Sequence, residues 1–277
     1  MAVMDHGALP ETRCTAPATL WLWPGHAVYR GPSLRLDAHS GSVHCLAVGL
    51  DAPFIVHGEG LRISTRSALI PPRMTHRLVA EGELMLFCYL DPSSARARTC
   101  GDRMTTHTGG IGITHRDEHN LMALAAHPAF DPVAAVGIAC GIRELPIDPR
   151  IAAATATIRA HPAHSNSADE LAAQAHLSTS RFLHLFAVHA GTSFRRYRIW
   201  ARMLSVGSAI AKGMDFTRAS SDAGFSSPSH FSDTFHAMCG LAPSTLLGSG
   251  TRVVILDEST ERTSTGRNHA EVGMSAR

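Results

Sequence analysis

Residues 167–247 read SADELAAQAHLSTSRFLHLFAVHAGTSFRRYRIWARMLSVGSAIAKGMDFTRASSDAGFSSPSHFSDTFHAMCGLAPSTLL and hold two copies of one local pattern. Each copy is a pair of short amphipathic helices around a tight turn. In the first, residues 167–191, Ser167 with Glu170 three positions on forms the reciprocal cap that starts a helix. Leu171 and Ala175 follow at helical spacing, and His176-Leu177 breaks the run. Ser178 caps a second helix, with Phe182, Leu185, Phe186 and His189 on one face and Ser180, His184, Ala187 and Val188 on the other. Arg181 sits on the edge. Helices joined by so short a turn must cross steeply, which makes the unit a helix-turn-helix. In the second copy, residues 215–240, Gly224 supplies a turn that often needs positive φ. Ser226 or Ser227 caps the next helix and Pro228 fits its first turn. Phe231, Phe235 and Met238 make the buried stripe. Gly191 and Gly240 close the two second helices. Between the copies, residues 193–213 read as one longer helix with Tyr197 and Trp200 in its core.

The strings LSTSRFLHLF…GTSF and AGFSSPSHFSDTFHAMCGLAPSTL carry a resemblance. With Gly224, Phe225, Phe231, Phe235, Gly240 and Pro243 in place, residues 148–247 resemble the DNA-binding domain of the AraC/XylS family of bacterial transcription regulators. The resemblance implies that the second helix of each unit enters the major groove of double-stranded DNA, where base edges can be told apart. The expected readers are Ser180, Arg181, Leu183 and His184 in the first unit, and Pro228, Ser229, Ser232 and Asp233 in the second. Ser178, Ser226 and Ser227 can cap their helices and touch phosphates from the helix N-terminus. Arg195, Arg196 and Arg198, at the start of the connecting helix, are phosphate candidates. Family members often carry Arg where this chain has His184 and Asp233, and a small apolar residue where it has Ser220. The first unit is therefore expected to carry most of the specificity.

Length and composition fit this outline. The chain has 277 residues, 44% hydrophobic and 17% charged, enough for two domains with real cores. The net charge of +2 is uneven: residues 148–247 hold 9 Lys+Arg against 6 Asp+Glu, and residues 1–147 hold 12 against 13. The sign suits DNA at the C-terminal half, weakly. Six cysteines without a CxxC spacing point to reduced thiols, with neither a disulfide framework nor a zinc cluster. The first 20 residues lack a signal-peptide pattern, and the longest apolar run is too short to span a bilayer, so a cytoplasmic protein with no membrane partner is expected.

Upstream, residues 1–18 read as a polar lead-in. Residues 19–91 read as short strands at 19–23, 27–30, 33–38, 43–49, 53–57, 61–69, 76–80 and 83–90, broken by Gly, Pro and Asp. Even spacing of this kind suggests a β-barrel or jelly roll. The segment DAHSGSVHCLAVGLDAPFIVHG…SALIPPRMTHRLVAEGELMLFCYLDP is similar to the cupin-like sensor domain found in part of the same family. Residues 92–147 read as a polar connector followed by short helices near 120–126 and 132–142, which the resemblance marks as possible dimerisation helices. Asp148-Pro149 opens the first helix of the DNA-binding domain. Residues 248–277 are expected to be a flexible tail with one apolar patch at 253–256. The expected fold class is α+β in two domains: an N-terminal cupin-like β-barrel followed by helices, then an all-α domain with two helix-turn-helix units.

His39, His44 and His76 are the candidate ligand-binding residues. In metal-bearing cupins three histidines converge inside the barrel, and imidazoles with open positions suit iron, zinc or manganese. His39 and His76 match the family positions. His44 departs from the usual His-x-His spacing, and residues 39 and 44 of a flat strand face opposite ways. A metal site, a polar pocket lining and ordinary packed histidines all remain open, and no metal or cofactor is assigned. Cys45 and Cys88 with Met74 and Met85 could sense a soft metal, or pack as small hydrophobes. No catalytic triad, phosphate loop or paired carboxylate stands out.

The expected function is a transcription regulator, not an enzyme, that answers to a small molecule in the N-terminal barrel. Its partners would be DNA, an effector, a second copy of itself, and RNA polymerase if it activates. The alternatives are a metal-dependent cupin enzyme fused to a DNA-binding domain, and a degenerate regulator acting through protein partners.

Overall fold

The computed structural model describes residues 17–92, 94–141, 146–164 and 167–256. Most of the expected lead-in, the last 21 residues of the expected tail, and Cys14 lie outside them. In chain order the strands are β1 (Thr19–Trp23), β2 (His26–Pro32), β3 (Cys45–Gly49), β4 (Phe54–Gly58), β5 (Leu61–Thr65), β6 (Ser67–Ile70), β7 (Arg77–Ala80) and β8 (Leu84–Tyr89). Helix α1 (Arg96–Gly101), the hairpin β9 (Met104–Thr108) and β10 (Ile111–His115), α2 (Glu118–Ala126) and α3 (Pro132–Cys140) follow. Then come α4 (Pro149–Ala160), α5 (Ala168–Gln174), α6 (Thr179–Ala190), α7 (Phe194–Ala211), α8 (Phe216–Asp222), α9 (Pro228–Cys239), α10 (Pro243–Gly248) and strand β11 (Arg252–Ile255).

Eight strands form one sheet in the order β11-β1-β2-β8-β3-β6-β10-β9, and β5-β4-β7 form a smaller one. The central strands are apolar at nearly every position because both faces of the large sheet are covered. Their residues alternate by strand period. Leu46, Val48, Leu86 and Cys88 pack under α1–α3, against Leu121, Val136 and Ala139. Cys45, Ala47, Met85 and Phe87 face the small sheet, against Phe54, Val56 and Leu78. Two sheet layers thus face each other, with helices on the outer side of the larger one.

Four expectations need correcting. Residues 33–38 are not a strand: their backbone turns outward, and Asp37 N–H bonds to the Gly240 carbonyl at the end of α9. The single strand expected at 61–69 is two, because β5 pairs with β4 in the small sheet while β6 pairs with β3 and β10 in the large one. The connector at 92–118 contains a helix and a hairpin whose turn is Gly109-Gly110, both at positive φ. The tail begins later than expected, since residues 252–255 pair in parallel with β1 and cover part of the apolar patch read there. Helices α2 and α3 pack Leu121, Ala125, Val133, Val136 and Ala139 against the large sheet.

Asp148 caps α4 as its sequence suggested, accepting from Arg150 N–H, and Arg150 holds its carboxyl down at about 2. The helices after it form two cores. Ile151, Ile158, Leu171, Phe182, Phe186, Phe194 and Tyr197 make one, wholly within α4–α7. Trp200, Met203, Val206, Phe225, Phe231 and Met238 make the other, and it is shared with Leu22, Ala27 and Val43 of the N-terminal half.

Candidate nucleic-acid interface and interdomain cavity

The first helix-turn-helix is built around a cluster of rings. Phe186 lies 5.4 Å from Phe194, 5.5 Å from Tyr197 and 5.8 Å from Phe182, centroid to centroid. Edge-to-face packing of this kind fixes how α6 crosses α7. The capping box of Ser167 and Glu170 is present in both directions, and Ser178 accepts from Arg181 N–H. Thr179 at the start of α6 hydrogen-bonds to Asp169 of α5, a tie between the two helices that the sequence reading did not use. His176 takes the turn at a φ of 53°. The outer face of α6 then carries Ser180, Arg181, Leu183 and His184, all solvent-exposed. Among the described residues, the exposed large hydrophobics are Leu183 and Val188 of this helix, at 39% and 52%. Val188 was not among the expected readers.

The three arginines of α7 part company. Arg195 is exposed. Arg198 lies over the Phe194 ring at 5.7 Å. Arg196, expected to hold a phosphate, is instead spent inside the molecule. Its guanidinium donates to the Ser40 carbonyl at 2.8 Å, the Gly41 carbonyl at 2.9 Å and the Ser40 hydroxyl at 3.2 Å. The outward turn of residues 37–41 supplies those acceptors, which is why sequence spacing could not foresee them.

The second unit is fastened to the N-terminal half. Ser227 caps α9 by accepting from His230 N–H, while Ser226 pairs its hydroxyl with His230 Nδ1 at 2.9 Å. Pro228 takes the first turn, and Ser229 and Asp233 are exposed with Ser232 half-buried beside them. His230 joins this exposed cluster and was missed. The opposite end of α9 is clasped. Ser40 N–H donates to the Ala237 carbonyl, Asp37 N–H to the Gly240 carbonyl, Ser42 Oγ to Met238 Sδ, and His236 pairs with the Asp37 carboxylate at 3.0 Å. Gly240 ends the helix at a φ of +76°, where a Cβ would lie 2.7 Å from the Asp37 carbonyl oxygen. Ser220, the polar departure in α8, is fully buried and donates to the Phe216 and Thr217 carbonyls.

A cavity of about 110 Å³ lies between the halves. The N-terminal half supplies Leu20, Leu22, Tyr29, Leu36, Phe87 and Tyr89; α7 supplies Trp200, Met203, Leu204, Val206, Gly207 and Ile210; α9 supplies Phe231, Phe235 and Cys239. Trp200 anchors the contact by donating its indole N–H to the Gly25 carbonyl at 3.0 Å.

The candidate histidines are not in this lining. His39 and His76 do come together, paired through their backbones with ring centroids 4.3 Å apart. Each turns Nδ1 to a backbone carbonyl two residues back, Asp37 and Met74. They sit at the α9 clasp, with His39 against Gly240. His44 is set against Gly191 at the end of α6 instead. Burial pulls His44 and His76 down to about 4. Of the three candidate histidines, two thus form a close pair at the domain contact, and the third packs under the other unit. Cys45 and Cys88 are buried, and burial pushes both thiols up.

Residues 171–249 match a helix-turn-helix domain family. No curated protein matches the chain. Among solved structures, an apo ToxT variant from Vibrio cholerae strain SCE256 is similar at a TM-score of 0.56 and 10% identity, covering 81% of this chain and 97% of that one. A ToxT structure from the same species at 1.65 Å gives 0.51 and 12%, over the same shares. ToxT from Vibrio cholerae O395 bound to (E)-4-(8-methylnaphthalen-1-yl)but-3-enoic acid gives 0.50 and 12%, over 81% and 98%. Identities this low speak for the fold alone. Residues 171–249 thus match a helix-turn-helix domain, carried on a chain whose fold is similar to that of the ToxT structures.

Proposed function

We propose that the protein is a sequence-specific DNA-binding transcription regulator whose grip on DNA is set by a small molecule held between its halves. The observation that carries this reading is the free face of α6. This surface of α6 presents Leu183 and Val188 to solvent together with Arg181 and His184, the mixture of apolar and hydrogen-bonding groups that base edges can pair with. The major groove offers thymine methyls to apolar side chains and guanine edges to Arg. The expected readers Ser180, Arg181, Leu183 and His184 are the primary contacts, with Ser178 and Arg195 on phosphates. Ser226, Ser227, Pro228, Ser229, Ser232 and Asp233 make the second contact through the free end of α9.

The cavity supplies the control. Phe231, Phe235 and Cys239 of its wall belong to α9, the helix that carries Ser229 and Asp233. A ligand that fits the cavity in only one placement of α9 favours that placement by its difference in affinity, and by nothing else. Within the same reading the protein is cytoplasmic, binds DNA as a homodimer, and touches RNA polymerase if it activates. The domain limits 19–91, 92–147 and 148–247 are its working division.

Selection from a random duplex pool tests the proposal. Wild-type protein is expected to enrich one motif, and Arg181→Ala to lose enrichment at one or two positions of it. A pool that stays random after repeated rounds at low salt would overturn it.

A further inference from the structure

We propose that the interdomain cavity is a site for a small uncharged apolar molecule, about the size of one aromatic ring, and that it rejects carboxylates and amines. The inference rests on the preceding reading that an effector sits in this cavity, and it names the chemistry of that effector.

Among the described residues that line the cavity there is no Lys, Arg, His, Asp or Glu. Two of the polar groups that reach it are already engaged. Tyr29 donates its hydroxyl to the Pro32 carbonyl at 2.8 Å, and the Trp200 indole N–H is held by Gly25. Tyr89 packs its ring against Trp200, centroids 5.8 Å apart. Cys239 is a neutral thiol, its ionisation pushed up to about 12 by burial. A carboxylate placed here would meet no counter-charge, with only a phenol hydroxyl and a weak thiol donor within the lining, and would forfeit hydration that these do not replace. An ammonium group would meet no anion among the lining side chains. A neutral ring or short chain gives up nothing polar and gains contact with Phe87, Trp200, Phe231 and Phe235.

Size narrows the class further. An engineered apolar cavity of roughly 150 Å³ stays dry and takes benzene. The present cavity, at about 110 Å³, is of that order and is lined in the same way. Gly207 keeps it open on the α7 side, where a Cβ would meet Leu22 Cδ1 at 2.5 Å.

Three probes of one skeleton separate the possibilities: toluene, benzoate and benzylamine, titrated at pH 7 into full-length protein carrying ¹³C-methyl methionine. Met203 lines the cavity and reports occupancy directly, its signal assigned through Met203→Leu. Toluene is expected to shift the Met203 methyl and raise the melting temperature. Benzoate and benzylamine are expected to bind at least about 30-fold more weakly, reflecting the cost of an unpaired buried charge. Leu204→Arg, which places a cation in the wall, is expected to reverse the order in favour of benzoate. If benzoate moves Met203 as readily as toluene in the wild type, the uncharged class is wrong while the cavity remains the site. If no probe moves Met203, both the class and the cavity as a ligand site fall, and the DNA-binding reading is untouched. The wild-type comparison decides the matter even where Leu204→Arg fails to fold.

Discussion

Arg196→Ala separates the structure from the plain expectation that a cation near a helix-turn-helix binds phosphate. The side chain donates three hydrogen bonds to Ser40 and Gly41, at 2.8, 2.9 and 3.2 Å. Hydrogen bonds from a charged donor are worth roughly 1.5–3 kcal/mol where solvent is limited. The guanidinium is only half-buried, and Gly41 also accepts from Arg73 N–H, so its carbonyl is not left bare. A net loss of about 2 kcal/mol for the whole set follows, rather than a sum over three bonds. At about 2–4 °C per kcal/mol for a chain of this order, the melting temperature should fall by roughly 5 °C. DNA affinity should keep its dependence on salt, because the substitution takes away no cation that faces a phosphate. Arg195→Ala is the control: its stability should be unchanged, and its salt slope should shrink by about 0.9. Melting by circular dichroism and anisotropy at several salt concentrations give both numbers. If Arg196→Ala melts within a degree of wild type and loses a full unit of salt slope, the residue binds DNA and the clasp counts for nothing.

Three further outcomes follow from the same geometry. Phe186→Ala empties the centre of the ring cluster in the first unit and should cost about 3–5 kcal/mol in urea unfolding; a loss under about 1 kcal/mol would mean that the cluster does not hold α6. Gly240→Ala forces a side chain into a left-handed position worth about 1–2 kcal/mol against the Asp37 carbonyl, so residues 33–42 should become sensitive to limited proteolysis, and an unchanged digestion pattern would refute the clasp. His26, His44 and His76 all titrate at about 4 when folded, lowered by burial from 6.5, so the folded protein holds fewer protons than the unfolded chain between those values. Stability is therefore complete above pH 6.5 and drains away as pH falls from 6.5 toward 4, and a urea midpoint flat across that window would contradict their burial.

What could be read in the sequence was local. The capping box at Ser167, the caps at Ser178 and Ser227, the left-handed Gly191 and Gly240, and the aromatic stripes of α6 and α9 are relations within a few turns of chain, and each is found as read. Strand β1 has the limits its pattern suggested. What escaped was set by distance along the chain. Leu34 and Leu36 look like strand residues because they are apolar and alternate, yet they line the cavity with residues of α9 and α10, far along the chain. The hairpin formed by β9 and β10 did announce itself by Gly109-Gly110, but β9 is an edge strand with polar, exposed residues and mimics a loop. The cavity draws its walls from segments scattered between β1 and β11 with no common motif. Arg196 shows the limit most plainly, since charge and position suited phosphate and only the path of residues 37–41 decided otherwise.

The central claim is that α6 reads DNA from its free face. The most direct measurement is anisotropy on the motif enriched by selection, comparing wild type with Arg181→Ala. Removing a guanine-type pairing at Arg181 should weaken specific binding by about 1–3 kcal/mol while leaving binding to random duplex within a few-fold. Equal affinity of the two proteins for the motif would contradict the account.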